Sequence, residues 1–440
     1  MALYGHPLLN RSTALVPVFG SKKAPQTMQV VATRLQPPKA SRVGTASGRS
    51  DTREDTRVRM YAPKVAISRL RVAFSGVVVQ AAGVEANLAN AYTAQYAFER
   101  SSPVDNTPAL FSGSSTGVVS AGGLLISDEV NLTIPANQLF YSRVGLTVAS
   151  SSMALPTASL AWGAGSGDFL SFNPEVASQT AGTGAMTNPG TGITSVQNAV
   201  PYMVLGFPAT PIPSVAIFGD SIADGQNDAQ AASTYGGSAF IARGLEAASA
   251  GRIPYVNFAV SSNRFQYDTA AGGASKRLAF QYFTHAIIAL GTNDFGNGRT
   301  LLQVQNDLIA MAAELKNTTG PYGDKIKVAV CKLMPRIQTS TDSYTTIAGQ
   351  TVYYSGWEPG GLRDQYNAWL DTIVGTTIDS VINPNQYVEY VGGNKWTVSA
   401  NTSDTSGTVT YATSDGLHPR SAAHILAAQA VTTWANGLTV

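Results

Sequence analysis

The stretch Ser214-Val-Ala-Ile-Phe-Gly-Asp-Ser221 determines the fold class that the sequence predicts. Its apolar residues form a short run typical of a buried β-strand, and the Gly-Asp-Ser that follows ends this strand. A serine therefore stands at the carboxyl end of the strand. Open α/β folds keep their chemistry at this edge of a parallel sheet. Ser221 is for this reason the first candidate functional residue.

Strand and helix patterns alternate from Pro213 to the end of the chain, which predicts a doubly wound parallel sheet covered by helices on both faces. The predicted strands are Val215–Phe218, Tyr255–Val260, Ala286–Leu290, Ile326–Leu333 and Tyr387–Val391. The predicted helices are Leu301–Leu315, Leu362–Ile373 and Ser421–Asn436. Two insertions, Gln338–Gly361 and Gly393–Ser414, are rich in Thr, Ser and Tyr and are expected to form β-hairpins or long loops.

The N-terminal half has a different pattern. Over residues 63–208, short runs such as Val130–Ile134 alternate apolar and polar residues between turn sequences, which predicts an antiparallel β-sandwich of the jelly-roll type. Residues 1–62 carry ten Lys/Arg against three Asp/Glu and have little periodicity. They are predicted to form an extended basic arm. A flexible tail and an arm that docks on a partner are both compatible with this composition, and we favour docking.

The charge balance excludes some classes of function. The net charge is +2 and only 13% of residues are charged, so the chain has no global basic field typical of a nucleic-acid binder. No stretch approaches the roughly 20 apolar residues that span a bilayer, and the N-terminus lacks the pattern of a signal peptide. The low-charge, small-residue composition is common in proteins that work outside cells and is compatible with a homo-oligomer. Release by cell lysis, as for virus particles, would reconcile it with the missing signal.

Two further motifs provide partners for Ser221. Gly291-Thr-Asn-Asp294 follows a predicted strand, and Asp415-Gly-Leu-His418 precedes the last predicted helix. A serine hydroxyl is a poor nucleophile unless a base accepts its proton and a third group orients that base. The spacing of Asp415 and His418 allows a carboxylate and an imidazole to share one turn. Taken alone, each motif could equally be a helix start or a strand-to-helix turn.

Together the three motifs resemble those of the SGNH, or GDSL, hydrolase family over residues 213–440. The resemblance implies a flavodoxin-like three-layer α/β domain and ester hydrolysis through an acyl-serine intermediate. It implies that Ser221 is the nucleophile, His418 the general base and then acid, and Asp415 the carboxylate that orients it. The backbone N–H of Ser221 and the side-chain amide of Asn293 would bind the oxyanion. This mechanism needs no cofactor, and the four histidines are too scattered for a metal site.

One position departs from the family pattern. The family usually takes a further oxyanion donor from the N–H of a glycine five residues after an asparagine, and here Asn257 is followed by Ser262 at that place. The N–H survives this change. If the backbone needs a positive φ, serine carries strain that glycine avoids. A weak or narrowed activity is therefore one expectation.

The insertions carry Tyr353, Trp357 and Trp396 among Ser, Thr and Asn, and such aromatic residues could bind sugar rings. The alternative is that they anchor long loops. The order of arm, β-sandwich and SGNH domain also resembles proteins of tailed bacteriophages. That resemblance implies an O-acetyl esterase that acts on surface polysaccharide and is attached to virion capsid or tail proteins through the arm.

Two alternatives are kept open. One is a structural or adhesive virion protein whose SGNH domain is catalytically idle. The other is a general lipase or thioesterase, which would need an apolar trough that the sequence does not indicate.

Overall fold

The computed structural model describes residues 27–43, 52–100, 105–159, 169–172, 180, 197–228, 236–249, 251–269, 274–391, 393–398 and 412–440. Of the sequence predictions, residues 1–26 and 44–51 of the basic arm and most of the second insertion lie outside these residues.

The N-terminal part of the described chain is built from short strands in antiparallel sheets. Its strands are β1 (Gln29–Val30), β2 (Ala40–Val43), β3 (Arg53–Tyr61), β4 (Ile67–Ser75), β5 (Val77–Val79), β6 (Glu85–Asn87), β7 (Tyr92–Glu99), β8 (Asn106–Pro108), β9 (Gly117–Val119), β10 (Leu124–Ile126), β11 (Val130–Ile134), β12 (Leu139–Thr147), β13 (Ala154–Ser159), β14 (Phe169–Phe172), β15 (Gln197–Asn198) and β16 (Met203–Pro208).

Two sheets dominate this part. One has the order β1-β16-β4-β10, with β11 also paired to β4, and the other has the order β14-β3-β12-β7-β8, with β9 paired to β7. The predicted alternation is confirmed on β11, where Val130, Leu132 and Ile134 are buried and the two residues between them are exposed. This pattern is typical of a sheet with one face on the core.

The strands of the C-terminal part are β17 (Val215–Gly219), β18 (Tyr255–Asn257), β19 (His285–Ala289), β20 (Lys327–Cys331), β21 (Ile337–Ser340), β22 (Gln350–Val352), β23 (Ser380–Ile382), β24 (Glu389–Tyr390) and β25 (Lys395–Trp396). The α-helices are α1 (Ser221–Asp224), α2 (Ala239–Ala247), α3 (Phe265–Thr269), α4 (Ala274–Ala279), α5 (Thr292–Gly296), α6 (Leu301–Asn317), α7 (Tyr354–Trp357), α8 (Leu362–Thr372), α9 (Asn385–Val388) and α10 (Ser421–Asn436). None of the helices in the described ranges is long and apolar enough to cross a membrane.

Five of these strands form one parallel sheet in the order β18-β17-β19-β20-β23. In chain order this is 2-1-3-4-5, the flavodoxin-like arrangement. The parallel α/β domain is thus confirmed, with β17 next to the centre of the sheet. Because the strands are parallel, the residues that follow β17 and β19 meet at the same edge.

The predicted fifth strand is wrong. Residues Tyr387–Val391 do not enter the parallel sheet, because they divide between α9 and the small hairpin of β24 with β25. The fifth position is taken by β23, whose Val381 pairs with Val330 of β20. Only one of its three residues is fully buried, so the sequence carries a weak strand signal there.

The predicted boundary of the arm at residue 62 is also too late. All nine residues of β3 pair with β12, and residues 27–43 lie against both parts of the molecule. The carbonyl oxygens of Ala32 and Leu35 accept hydrogen bonds from Tyr255 and Asn257 of β18. This segment therefore runs along the edge of the parallel sheet. A basic side chain from the rest of the predicted arm is also used internally, since Arg57 of β3 pairs with the buried Glu99.

Helix α6 provides a direct test of the core. Its cap is a reciprocal pair of hydrogen bonds between Thr300 and Gln303, and its buried stripe includes Leu308, whereas Leu302 is 64% exposed. We expect Leu308→Ala to lower the free energy of unfolding by about 2–5 kcal/mol because it leaves a cavity. Leu302→Ala is the matched control on the same helix and should change it by less than about 0.5 kcal/mol. Urea denaturation measures both, and equal losses would contradict this packing.

Candidate active site

The serine of the opening motif lies on a tight turn from strand to helix. β17 ends at Gly219, Asp220 caps the short helix α1 by accepting the N–H of Ile222 at 2.9 Å, and Ser221 is the first residue of that helix. A Cβ at Gly219 would lie 2.3 Å from the Cβ of Ala223, so the turn can close only around a glycine. This geometry fixes Ser221 at the carboxyl edge of the sheet.

The structure brings Ser221, His418 and Asp415 together, as the motif comparison predicted. The Oγ of Ser221 lies 2.8 Å from Nε2 of His418, and Nδ1 of His418 lies 2.7 Å from Oδ2 of Asp415. A carboxylate can only accept, so Nδ1 carries the proton. Nε2 is then free to accept the hydrogen bond of the serine hydroxyl. This tautomer is the one that a general base needs.

The carboxylate of Asp415 is held by several donors besides His418. Its Oδ1 accepts the N–H groups of Leu417 and His418 at 2.9 and 2.8 Å, and its Oδ2 accepts the side-chain amide of Asn227 at 3.1 Å. Burial alone would raise the pKa of Asp415, but these hydrogen bonds outweigh it and hold the pKa well below its usual range. Asp415 thus stays ionised beside His418.

Two of the three predicted oxyanion donors, Asn293 and Ser262, lie on neighbouring, hydrogen-bonded segments. Asn293 lies in α5, directly after β19, and its amide donates to the carbonyl oxygen of Asn263 at 3.2 Å. Ser262 immediately precedes Asn263 and has a φ of 64°. The backbone at Ser262 therefore has the left-handed conformation that glycine adopts without strain, although the residue here is a serine. No hydrogen bond within the described ranges occupies the N–H of Ser262.

Two further carboxyl groups lie close to these elements. Burial raises the pKa of Asp220, the cap of α1, to about 6, and the same cause raises the pKa of Asp294 to about 6. Asp294 accepts the N–H of Phe265 at 3.2 Å and lies 3.3 Å from Arg299. Both side chains are bound to backbone N–H groups at the starts of short helices, so their role is to fix the loops that carry Ser221 and Asn293.

The predicted sugar-binding aromatic residues do not share one exposed face. Trp357 and Trp396 are 2% and 0% exposed, so neither ring is available for a sugar to stack on, and the alternative that they anchor loops fits both. Tyr353 is half-buried, and the guanidinium of Arg336 lies 4.0 Å from the centre of its ring.

Sequence reasoning missed Asn263 and Asn227. Asn263 is fully buried, and its amide donates to the carbonyl of Gly219 at 3.1 Å and to Asp268 at 2.8 Å. It thereby connects the oxyanion loop, defined here as Ser261–Asn263, to the strand that carries the nucleophile. An asparagine after a strand is a common turn residue, so the sequence contains no signal for this role.

Cavities are distributed unevenly around the site. A cavity of about 20 Å³, close to the space of a single water molecule, borders Asp220 and Thr292, and Ser221, His418 and Asn293 are not among the residues that line it. Two cavities of about 390 and 400 Å³ lie around His285 and Lys327, where β19 and β20 begin. They are at the opposite edge of the parallel sheet and do not contact the triad of Ser221, His418 and Asp415.

Comparison with known proteins agrees with this geometry. Residues 217–426 match the model of the GDSL-like Lipase/Acylhydrolase family, and this span contains all three residues of the hydrogen-bonded chain. This span is therefore similar to GDSL-type hydrolases, and it is called the GDSL-type domain below. A search of curated proteins found no match.

The chain is also similar to solved structures over about half of its length. They include a carbohydrate acetylesterase from Sinorhizobium meliloti (17% identity, 52% of this chain and 100% of the other, TM-score 0.33). The esterase EstA from Pseudoalteromonas has 16% identity over 51% of this chain and 100% of its own, with a TM-score of 0.34. An aryl esterase from M. smegmatis has 14% identity over 52% and 100%, also with a TM-score of 0.34.

The left-handed backbone at Ser262 is testable. We expect Ser262→Gly to raise the free energy of unfolding by up to about 1 kcal/mol, because glycine adopts a positive φ without steric strain. The neighbouring Ser261 has a negative φ, so Ser261→Gly is the matched control and should lower it by about 0.5–1 kcal/mol. Thermal and urea unfolding of the two variants provide the measurement. The same sign of change in both would show that the φ of Ser262 is not strained.

Proposed function

We propose that this GDSL-type hydrolase is a serine esterase that removes short acyl groups, chiefly O-acetyl groups, from surface polysaccharide. The observation that carries the proposal is the hydrogen-bonded chain Ser221–His418–Asp415. The family match gives the class of reaction, and the remaining argument concerns mechanism and substrate.

In the proposed mechanism, Oγ of Ser221 attacks the ester carbonyl while its proton passes to Nε2 of His418. Asp415 stabilises the imidazolium. The negative charge on the former carbonyl oxygen is bound by the N–H groups of Ser221 and Ser262 and by the amide of Asn293. The sugar hydroxyl leaves with the proton of His418. A water molecule then attacks the acyl-serine and gives a proton to His418. His418 passes this proton to Oγ of Ser221 as the bond between the acyl group and Oγ breaks, and the free acid departs.

A short acyl group is favoured by the surroundings of Ser221. The side chains that bond to the catalytic carboxylate and to the oxyanion loop are polar, with Asn227 on Asp415 and Asn293 on the carbonyl of Asn263. Long-chain lipase activity would instead need an extended apolar trough.

We further propose that the N-terminal sheets pack as a β-sandwich and attach the enzyme to a bacteriophage virion. The support is the order of elements, with a basic segment first, antiparallel sheets next and the hydrolase last. Capsid or tail proteins are the proposed partners of residues 1–26. The left-handed Ser262 favours one competing function, an adhesive virion protein with an idle hydrolase domain, because a misplaced donor would reduce turnover.

We expect substitutions in the triad to lower the esterase activity by different amounts. Ser221→Ala and His418→Ala should each abolish detectable hydrolysis of p-nitrophenyl acetate, since neither variant can form the acyl-serine efficiently. Asp415→Asn should lower kcat by about 10³–10⁴-fold, because the amide no longer fixes the tautomer of His418. Circular dichroism controls for folding. The control is Ser150→Ala, at an exposed serine in the N-terminal part, which should keep wild-type turnover. Activity near wild type in Ser221→Ala would end the assignment.

Substrate class is tested by acyl-chain length. We expect kcat/KM for p-nitrophenyl esters to be highest for acetate and to fall by at least tenfold by octanoate. Acetylated polysaccharides should release acetate, measured by an enzyme-coupled assay, and Ser221→Ala should release none. A maximum at long chains would support the lipase alternative. Binding to polysaccharide without turnover of any ester would support the idle adhesive protein.

A further inference from the structure

The N-terminal sheets contact the oxyanion loop directly. Residues Gln80–Val84, here called the sheet loop, connect β5 to β6. The N–H of Ala82 donates to the carbonyl oxygen of Ser261 at 2.7 Å. The next residue, Gly83, lies so close to Asn263 that a Cβ at this position would be 1.8 Å from its Oδ1.

The sheet loop has a defined backbone of its own. Ala82 and Gly83 have φ values of 73° and 88°, and hydrogen bonds join Gln80 and Val84 (2.8 Å) and Gly83 and Gln80 (2.9 Å). Residue Val79, just before the loop, donates to the carbonyl of Pro38 at 2.8 Å. The loop is thus closed on itself and connected to the segment that runs along the parallel sheet.

That same segment reaches the nucleophile turn. Lys39, next to Pro38, forms an ion pair with Asp224 of α1, and the side chain of Lys39 is only 5% exposed. The N-terminal part therefore contacts the hydrolase domain at two places near Ser221, one on its helix and one on the oxyanion loop.

Asn263 links the sheet loop to the catalytic groups. Its amide bonds to Gly219 and Asp268, its Oδ1 accepts the N–H of Arg264 at 2.8 Å, and its carbonyl oxygen accepts the amide of Asn293 at 3.2 Å. A fully buried side chain with this many partners cannot move to make room without breaking some of these bonds. Pressure on Asn263 from the sheet loop would therefore displace both Ser262 and Asn293.

We propose that the sheet loop is a positioning element of the esterase. It holds the oxyanion loop in the left-handed conformation of Ser262, so that hydrolysis by the C-terminal domain requires the N-terminal sheets. Strained backbone persists only where the surrounding structure over-determines it, and Ala82 and Gly83 supply that constraint from outside the hydrolase domain. The inference rests on the proposed function, since it assigns the oxyanion loop a role in turnover.

The full-length chain offers a matched pair of glycines for the test. Gly83→Ala introduces a methyl group against Asn263, whereas Gly113, in the same part of the molecule, has a similar φ of 81° and no atom within 4 Å of the position of a Cβ. We expect Gly83→Ala to lower kcat for p-nitrophenyl acetate by at least tenfold with KM within about threefold. The upper bound is on the order of 10²–10³, the effect of losing one oxyanion donor. Gly113→Ala should stay within twofold of wild type.

A second control separates the sheet loop from the interface as a whole. Arg252 donates to the carbonyl of Asn137 at 2.9 Å and joins the two parts of the molecule near the amino end of β18. Arg252→Ala should therefore leave kcat within twofold. If the Gly83→Ala variant does not fold, Asn263→Ala provides a second test, because it removes the side chain with which the new methyl group would collide. In that background Gly83→Ala should cause no further loss of kcat.

Hydrogen–deuterium exchange gives a readout that does not depend on turnover. Peptides within residues 258–268 should exchange faster in Gly83→Ala than in wild type and Gly113→Ala. Wild-type exchange there, or wild-type kcat in Gly83→Ala, would overturn the positioning role. If the wild-type chain hydrolyses no ester, the proposed function fails, and the exchange rates alone then decide whether the sheet loop constrains Ser261–Asn263.

Discussion

The contact of 2.8 Å between the hydroxyl of Ser221 and the imidazole of His418 is the constraint on which the rest of the site depends, and it joins residues 197 positions apart. One side is fixed by the sheet, because Ser221 directly follows a paired strand. The other side is a turn that must be held by tertiary contacts. The carbonyl of Gly416, in that turn, accepts the indole N–H of Trp396 at 2.9 Å and the N–H of Ile337 at 2.8 Å. The buried Trp396 therefore stabilises the turn of the acid and base.

The packing of α10 against α2 also helps to hold the chain around Ser221. A Cβ at Gly244 of α2 would lie 2.7 Å from the carbonyl oxygen of Ala428, so α2 and α10 approach each other at van der Waals distance. His424 of α10 accepts the N–H of Phe240 at 3.2 Å, and its other nitrogen lies 3.3 Å from the carbonyl of Gln226, just after the nucleophile turn. Burial lowers the pKa of His424, which keeps the ring neutral as this arrangement needs. The last helix thus holds the chain that follows Ser221, at Gln226 and at Phe240.

Local signals in the sequence predicted the parallel sheet, helices α6, α8 and α10, and the three residues of the hydrogen-bonded chain. Each belongs to a compact motif or a strong apolar period, so its structure depends mostly on neighbours in sequence. The true fifth strand, β23, was missed. It is three residues long and only partly buried, so it shows almost no alternation of apolar and polar residues. Trp357 and Trp396 were given a second interpretation because an aromatic residue in a polar segment can either anchor a loop or face a ligand. Asn263 has no local pattern at all, since its contacts with Gly83, Gly219 and Asn293 join it to distant parts of the chain.

The strain at Ser262 shows why these distant partners are needed. A left-handed backbone at a residue other than glycine costs about 1–2 kcal/mol. A single hydrogen bond contributes a net 0.5–1.5 kcal/mol, so one bond would leave the loop free to relax. The oxyanion loop has several: the carbonyls of Ser261 and Asn263 and the side chain of Asn263 all have partners. One of these bonds comes from Ala82, outside the hydrolase domain. The conformation of the oxyanion loop is therefore a property of the whole chain, and a GDSL-type domain with serine at this position is best understood together with the sheets that precede it.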